Sequence, residues 1–208
     1  MATNLVRTGF QPYSDTEGGP TVLVRRRIAS NNGTAIFFGD CMKITAAGVY
    51  GLATAGSGVI GSAQGAEYWD ATTSSIKSGF YLPASTTYSS TAFDMGGDTD
   101  QSFVKISDSP VTDRFLTSYS ASTPALTDMT KNANFVANAG TTYNGISGHV
   151  LDQTTIATTA ALDFRIMEIL QNPLSDPTQV ASAGVIVMIN QPGSAGTGLP
   201  ATSSSQGA

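Results

Sequence analysis

One histidine, His149, and one cysteine, Cys41, in 208 residues leave little material for acid/base, nucleophilic or transition-metal chemistry, which draws mainly on those two residue types. A lone Cys41 excludes an intramolecular disulfide framework and reads as a buried thiol. Charge is also scarce: charged residues make up 12% of the chain and the formal net charge is −5. The only basic run is Arg25-Arg26-Arg27, whereas a nucleic-acid partner needs clustered Lys and Arg to neutralise phosphates. No stretch approaches the roughly 18 apolar residues of a membrane span, and MATNLVRTGFQPYSDTEGG has no apolar signal core. These absences predict a soluble protein that is not an enzyme, holds no cofactor or metal, and binds neither nucleic acid nor membrane.

Gly, Ser, Thr and Ala are abundant, and a hydrophobic fraction of 40% suffices for a core. Residues 1–20 contain Gly9, Pro12, Gly18, Gly19 and Pro20 without periodicity, which predicts an extended N-terminal arm. Strand signals follow at Thr21 to Ile28 and Thr34 to Phe38. Asn31-Asn32-Gly33 between them reads as a hairpin turn. Short strands and glycine corners are expected from Cys41 through Gly65, with further strands at Glu67 to Asp70, Gly79 to Leu82, Gln101 to Ile106 and Arg114 to Tyr119. Residues 127–139 (TDMTKNANFVANA) read as one short α-helix stopped by Gly140. In ALDFRIMEIL, Leu162, Phe164 and Ile166 alternate with Asp163 and Arg165; GVIVMIN (Gly184 to Asn190) is apolar throughout and reads as a central strand. The expectation is an all-β fold: a small β-barrel over residues 21–190, with a flexible low-complexity tail at 191–208.

Several motifs suggest chemistry that their context does not support. Gly56-Ser57-Gly58-Val59-Ile60-Gly61 matches G-x-G-x-x-G, yet a dinucleotide site needs a helix next, and Gly65 with the β-prone Glu67 to Asp70 interrupts one. It reads as a glycine-cornered loop. Ser147, His149 and Asp152 carry the residue types of a hydrolytic triad, but no nucleophile elbow accompanies them, so His149 reads as a loop histidine. Asp94, Asp98 and Asp100 lack the bidentate Glu of a calcium loop and read as a polar turn. Asn32-Gly33-Thr34 is formally a glycosylation sequon, without a secretory signal to make it meaningful. Arg25 and Arg27 fall on one strand face and Arg26 on the other. Tyr68, Trp69, Phe80 and Tyr81 offer the side chains of a carbohydrate platform, but aromatics at this density read as core or interface anchors.

In order along the chain, the phrases IASNNGTAIFFGDCMKI (Ile28 to Ile44), EYWDA (Glu67 to Ala71), FYLPAST (Phe80 to Thr86), SDSPVTDRF (Ser107 to Phe115), KNANFVA (Lys131 to Ala137) and ALDFRIMEIL…VIVMIN resemble tailed-bacteriophage head decoration, or capsid cement, proteins. The resemblance covers roughly residues 5–190, though the chain lacks a Gly/Asn-rich pocket around a Trp. It implies a small β-barrel on the outer surface of the virion capsid, bound to the major capsid protein as a homotrimer near three-fold points. Partner contacts are expected from Arg7, Phe10, Tyr13, Arg25 and Arg27. The alternative is a receptor- or glycan-binding phage tail or fibre module.

Overall fold

The β-branched and aromatic runs, cut at short intervals by glycine, proline and asparagine, form strands and almost no helix. The computed structural model describes residues 9–15, 18–28, 32–46, 48–70, 72–84, 102–107, 109, 112–121, 124–170 and 184–190. In chain order its strands are β1 (Gln11–Ser14), β2 (Leu23–Arg27), β3 (Ile36–Phe37), β4 (Cys41–Ile44), β5 (Tyr50–Leu52), β6 (Gly61–Asp70), β7 (Ser75–Gly79), β8 (Tyr81–Leu82), β9 (Ser102–Ser107), β10 (Arg114–Thr117), β11 (Asn132–Ala133), β12 (Phe135–Val136), β13 (Val150–Leu151), β14 (Phe164–Leu170) and β15 (Gly184–Ile189). Single 3-10 turns at Leu126–Asp128 and Gln153–Thr155 are the helical elements among the described residues. The protein is all-β.

One antiparallel sheet has the order β1-β10-β15-β14-β11. Its middle strand is β15, whose Val185, Ile186 and Val187 are fully buried, as its unbroken apolar run predicts. In β14, Phe164 and Ile166 point inward and Arg165 outward. A bulge between Ile166 and Glu168 then shifts the parity and buries Ile169. Phe10, Phe115, Phe135 and Phe164 anchor the core on this sheet. Phe10 stacks on Phe164 at 4.4 Å and meets Phe135 edge-on at 6.2 Å.

The second sheet has the order β2-β9-β6-β4-β5, with β7 added on β6. A single parallel bridge between Ile28 and Tyr50 brings its two ends together, and Ile28, Met42, Ala63, Ala66, Val104 and Ile106 pack in one cluster with Leu82. β6 serves several partners because it bends at a bulge between Ala63 and Ala66, where Gly65 takes φ +147°. Gly61, at the start of β6, lies so close to the Ser107 carbonyl of β9 that no Cβ fits. Two short ribbons remain, β3 with β8 and β12 with β13; Ile36 and Leu82 of the first pack in the second sheet's cluster, and Phe135 and Leu151 of the other in the core on the first sheet.

Three expectations are corrected. No α-helix forms over 127–139: Thr130 takes φ +70°, Asn132 and Ala133 pair with β14, and Ala133 and Phe135 are both buried at the two-residue spacing of extended chain. Tertiary pairing overrides a weak local helix preference. Nor do β2 and β3 form a hairpin across Asn31-Asn32-Gly33; β2 pairs with β9 and β3 with β8. Finally, Gln11–Ser14 of the expected arm is β1, paired with β10 of the chain's own sheet. The 191–208 tail lies outside the described residues.

Candidate functional site

The residues with the most chemical potential converge where the N-terminal segment crosses between the sheets. Gly9 and Gly39 touch there, both at left-handed φ (+85° and +90°), and a Cβ on Gly39 would lie 2.8 Å from the Gly9 Cα. Only glycine permits that crossing. The Gly9 N–H donates to the His149 carbonyl and the Phe10 N–H to the Gly39 carbonyl, each at 2.8 Å. Around the crossing Asp40, Cys41, Ser147 and His149 are all buried.

The geometry assigns the histidine its tautomer. His149 Nδ1 accepts the Cys41 backbone N–H at 3.1 Å, so the neutral ring carries its proton on Nε2, which faces Asp40 Oδ1 at 3.4 Å. Burial pushes the His149 pKa down against the attraction of Asp40, and pushes the Asp40 pKa up. Protonating Nδ1 would set it against the Cys41 N–H, the same direction. The Cys41 thiol is held well above its ordinary pKa by burial, which keeps it un-ionised.

This is not the trio read from the sequence. Ser147 Oγ accepts the backbone N–H of His149 at 2.9 Å, and Asp152 caps the Gln153–Thr155 turn by accepting the Thr154 N–H. The carboxylate beside the imidazole is Asp40, more than a hundred residues earlier in the chain. Both ring nitrogens of His149 face groups of the protein's own interior, and the cluster ties three chain segments together.

The glycine-rich loop holds an anion, but an internal one. Asp163 Oδ2 accepts the Gly56 N–H at 2.8 Å, and the Gly58 N–H also bonds to this carboxylate. Gly56 and Gly58 have φ of +73° and +77°, and their N–H groups turn toward this one carboxylate while the Ser57 N–H between them donates to the Thr54 carbonyl. Burial raises the Asp163 pKa while the two N–H groups oppose the rise. Asp163→Ala should cost about 1–3 kcal/mol, because it removes two hydrogen bonds to a charged acceptor. Urea denaturation checks this.

The outward face of the second sheet is basic. Arg25 pairs across with Lys105, and Arg27 with Phe103; Glu67 also lies opposite Phe103. Glu67 receives Arg25 at 2.7 Å and Lys105 at 3.0 Å, and Arg25 lies over the Phe103 ring at 4.4 Å. Among the described residues, three cations thus share a sheet face with the Glu67 carboxylate. Arg26 points the other way, over Tyr50, as strand alternation predicts.

Comparison of the chain with protein-family models, curated proteins and solved structures found no match. The assignment of contact residues therefore rests on geometry. Of the expected partner contacts, Arg25 and Arg27 lie together on the basic face. Tyr13 is 51% exposed on β1, whereas Phe10 is 1% exposed and belongs to the core. Phe10 is corrected for a physical reason: the crossing at Gly9 turns it inward onto Phe164 and Phe135. Arg7 and the Asp94, Asp98 and Asp100 cluster lie outside the described residues.

The four aromatics do not make one platform. Tyr68 packs on the inner cluster of the second sheet, Trp69 pairs with Ile76, and Tyr81 stacks on Phe37 at 5.5 Å. Phe80 alone of the four is strongly exposed, at 65%. It meets Phe38 edge-on beside the turn 141–145, whose Tyr143 is 98% exposed. Sequence reasoning missed Lys105, Glu67 and Tyr143; strand alternation around Lys105 was the available signal for the first, and the tight turn at Asn144-Gly145 for the last.

Proposed function

We propose that this protein is a bacteriophage head decoration protein, which binds the outer surface of the capsid as a homotrimer and stabilises contacts between major capsid subunits. The ordered resemblance from Ile28 to Asn190 motivates the reading. The observation that carries it to a site is the cationic face of Arg25, Arg27 and Lys105 on a chain of net charge −5, which suits an acidic protein surface. In this reading the second sheet, with its ends meeting at Ile28 and Tyr50, acts as the small barrel of the group. A cement subunit needs contact across a joint; the lattice repeats a modest binding energy many times.

Co-sedimentation with capsids lacking the protein tests the proposal. Saturable binding and a raised capsid rupture temperature are expected, with binding weakened by salt. The double variant R25A/K105A should fold, since exposed ion pairs contribute about 0–1 kcal/mol, and should bind at least about tenfold more weakly if those cations meet acidic groups. A folded wild type that does not bind would defeat the reading.

The exposed Phe80 and Tyr143 favour a second reading, a receptor- or glycan-binding module. Glycan binding by the wild type, lost in Phe80→Ala and Tyr143→Ala, together with no capsid binding, would establish it instead.

A further inference from the structure

The sequence contains two Asn-Gly pairs, Asn32-Gly33 and Asn144-Gly145, and the fold treats them oppositely. In such a pair the glycine nitrogen reaches the asparagine side-chain carbonyl carbon with little steric hindrance. We propose that Asn32 is a site of spontaneous deamidation in the folded protein, while Asn144 is protected by its turn.

The reaction needs an accessible glycine N–H. The Gly33 nitrogen loses its proton to solvent base and attacks Asn32 Cγ; the bond from Cγ to Nδ2 breaks and ammonia leaves, closing a succinimide. Water then opens the ring at either carbonyl, giving an aspartyl or isoaspartyl residue. The net change is one water consumed and one ammonia released, with one negative charge added to a chain already at −5.

At Asn32 the structure leaves that path open. Gly33 is exposed, and nothing lies within 4 Å of the place a Cβ would occupy. No hydrogen bond engages its N–H among the described residues. The Asn32 amide nitrogen, the leaving group, donates to the Thr34 carbonyl at 2.7 Å, and Asn32 Oδ1, itself covered by protein, has no hydrogen-bond partner. The side-chain carbonyl is therefore not held away by a donor.

At Asn144 the attacking nitrogen and the side-chain oxygen are both engaged. The Gly145 N–H donates to the Thr141 carbonyl at 2.9 Å, which occupies the attacking nitrogen. Asn144 Oδ1 accepts the Ile146 N–H at 3.0 Å, which fixes the side chain. Gly145 is buried at φ +72° against Phe80, and its carbonyl accepts the Phe38 N–H at 2.9 Å. Ring closure there requires local opening of the turn and its bridge to Phe38.

The test is incubation of the full chain at mildly alkaline pH, with peptide mass spectrometry and isoaspartate detection at both sites, in buffer and in concentrated urea. In buffer, Asn32 should gain about 1 Da at a rate at least about tenfold above that of Asn144. In urea the two rates should converge. Gly33→Ala should fold, since Gly33 has open space and no left-handed φ, and should suppress the reaction at Asn32 alone. Deamidation in buffer that is as fast at Asn144 as at Asn32, or an inert Asn32 in buffer at a site that reacts in urea, would overturn the proposal.

Discussion

Replacing Phe10 with alanine is expected to lower the unfolding free energy by about 3–5 kcal/mol, the range for emptying a buried aromatic site. Phe10 is 1% exposed and touches two other rings, Phe164 and Phe135, so truncation opens a void among stacked aromatics that are pinned by their own strands. For a chain of this size about 1 kcal/mol shifts the melting temperature by roughly 2–4 °C, and a drop on the order of 10 °C should be visible by calorimetry. Tyr13→Ala, three residues on and half-exposed, should change stability by less than about 1 kcal/mol. Equal effects at both positions would refute the packing. The distinction governs how the N-terminal segment is tested in binding: removing residues 1–20 also removes β1 and Phe10, so lost binding would report unfolding. Removing residues 1–8 leaves both in place.

Stability should fall as pH drops below about 6.5, and His149 should be the cause. The sign follows from linkage. The folded-state pKa of His149 is depressed below the ordinary imidazole value of 6.5 by burial, so below that pH the unfolded chain takes up a proton that the folded one refuses. Asp40 acts oppositely. Its folded pKa is raised above 3.8 by burial, so the folded form gains relative stability as pH falls through that raised value toward 3.8. The histidine effect therefore lowers stability below pH 6.5, and the Asp40 effect offsets it wherever the pH lies between 3.8 and that raised value. One proton limits the slope to about 1.4 kcal/mol per pH unit. His149→Gln keeps a side-chain acceptor for the Cys41 N–H but cannot titrate, so its stability should lack the slope between about pH 7 and pH 5. Urea titrations of both proteins across that window measure the difference; parallel profiles would remove His149 as the origin.

The two predictions depend on differently legible parts of the chain. β14 and β15 are readable from sequence, because alternation and an unbroken apolar run are direct imprints of burial on one face or on both. The separation of Arg25 and Arg27 from Arg26 is equally readable, since strand geometry alone requires it. The stretch 127–139 misleads because its alanines and capping residues have modest helix preference, while Ala133 and Phe135 are claimed by β14 and the core; the competing interaction is distant in sequence. The Asn-Gly signal between β2 and β3 misleads similarly, as each strand finds a better partner elsewhere.

Composition by itself determined the class of molecule: strand-forming runs with frequent turn residues, a single histidine and cysteine, and a slight acidic excess lead to an all-β protein whatever the topology. Tertiary structure alone decided which polar groups meet. Asp40 reaches His149, Asp163 reaches Gly56 and Gly58, Glu67 gathers Arg25 and Lys105, and Gly9 admits Phe10 to the core. Burial of a side chain leaves a periodic trace in its own strand, but the partner that satisfies a buried polar group is set by sheet order and strand crossing, which local sequence does not encode.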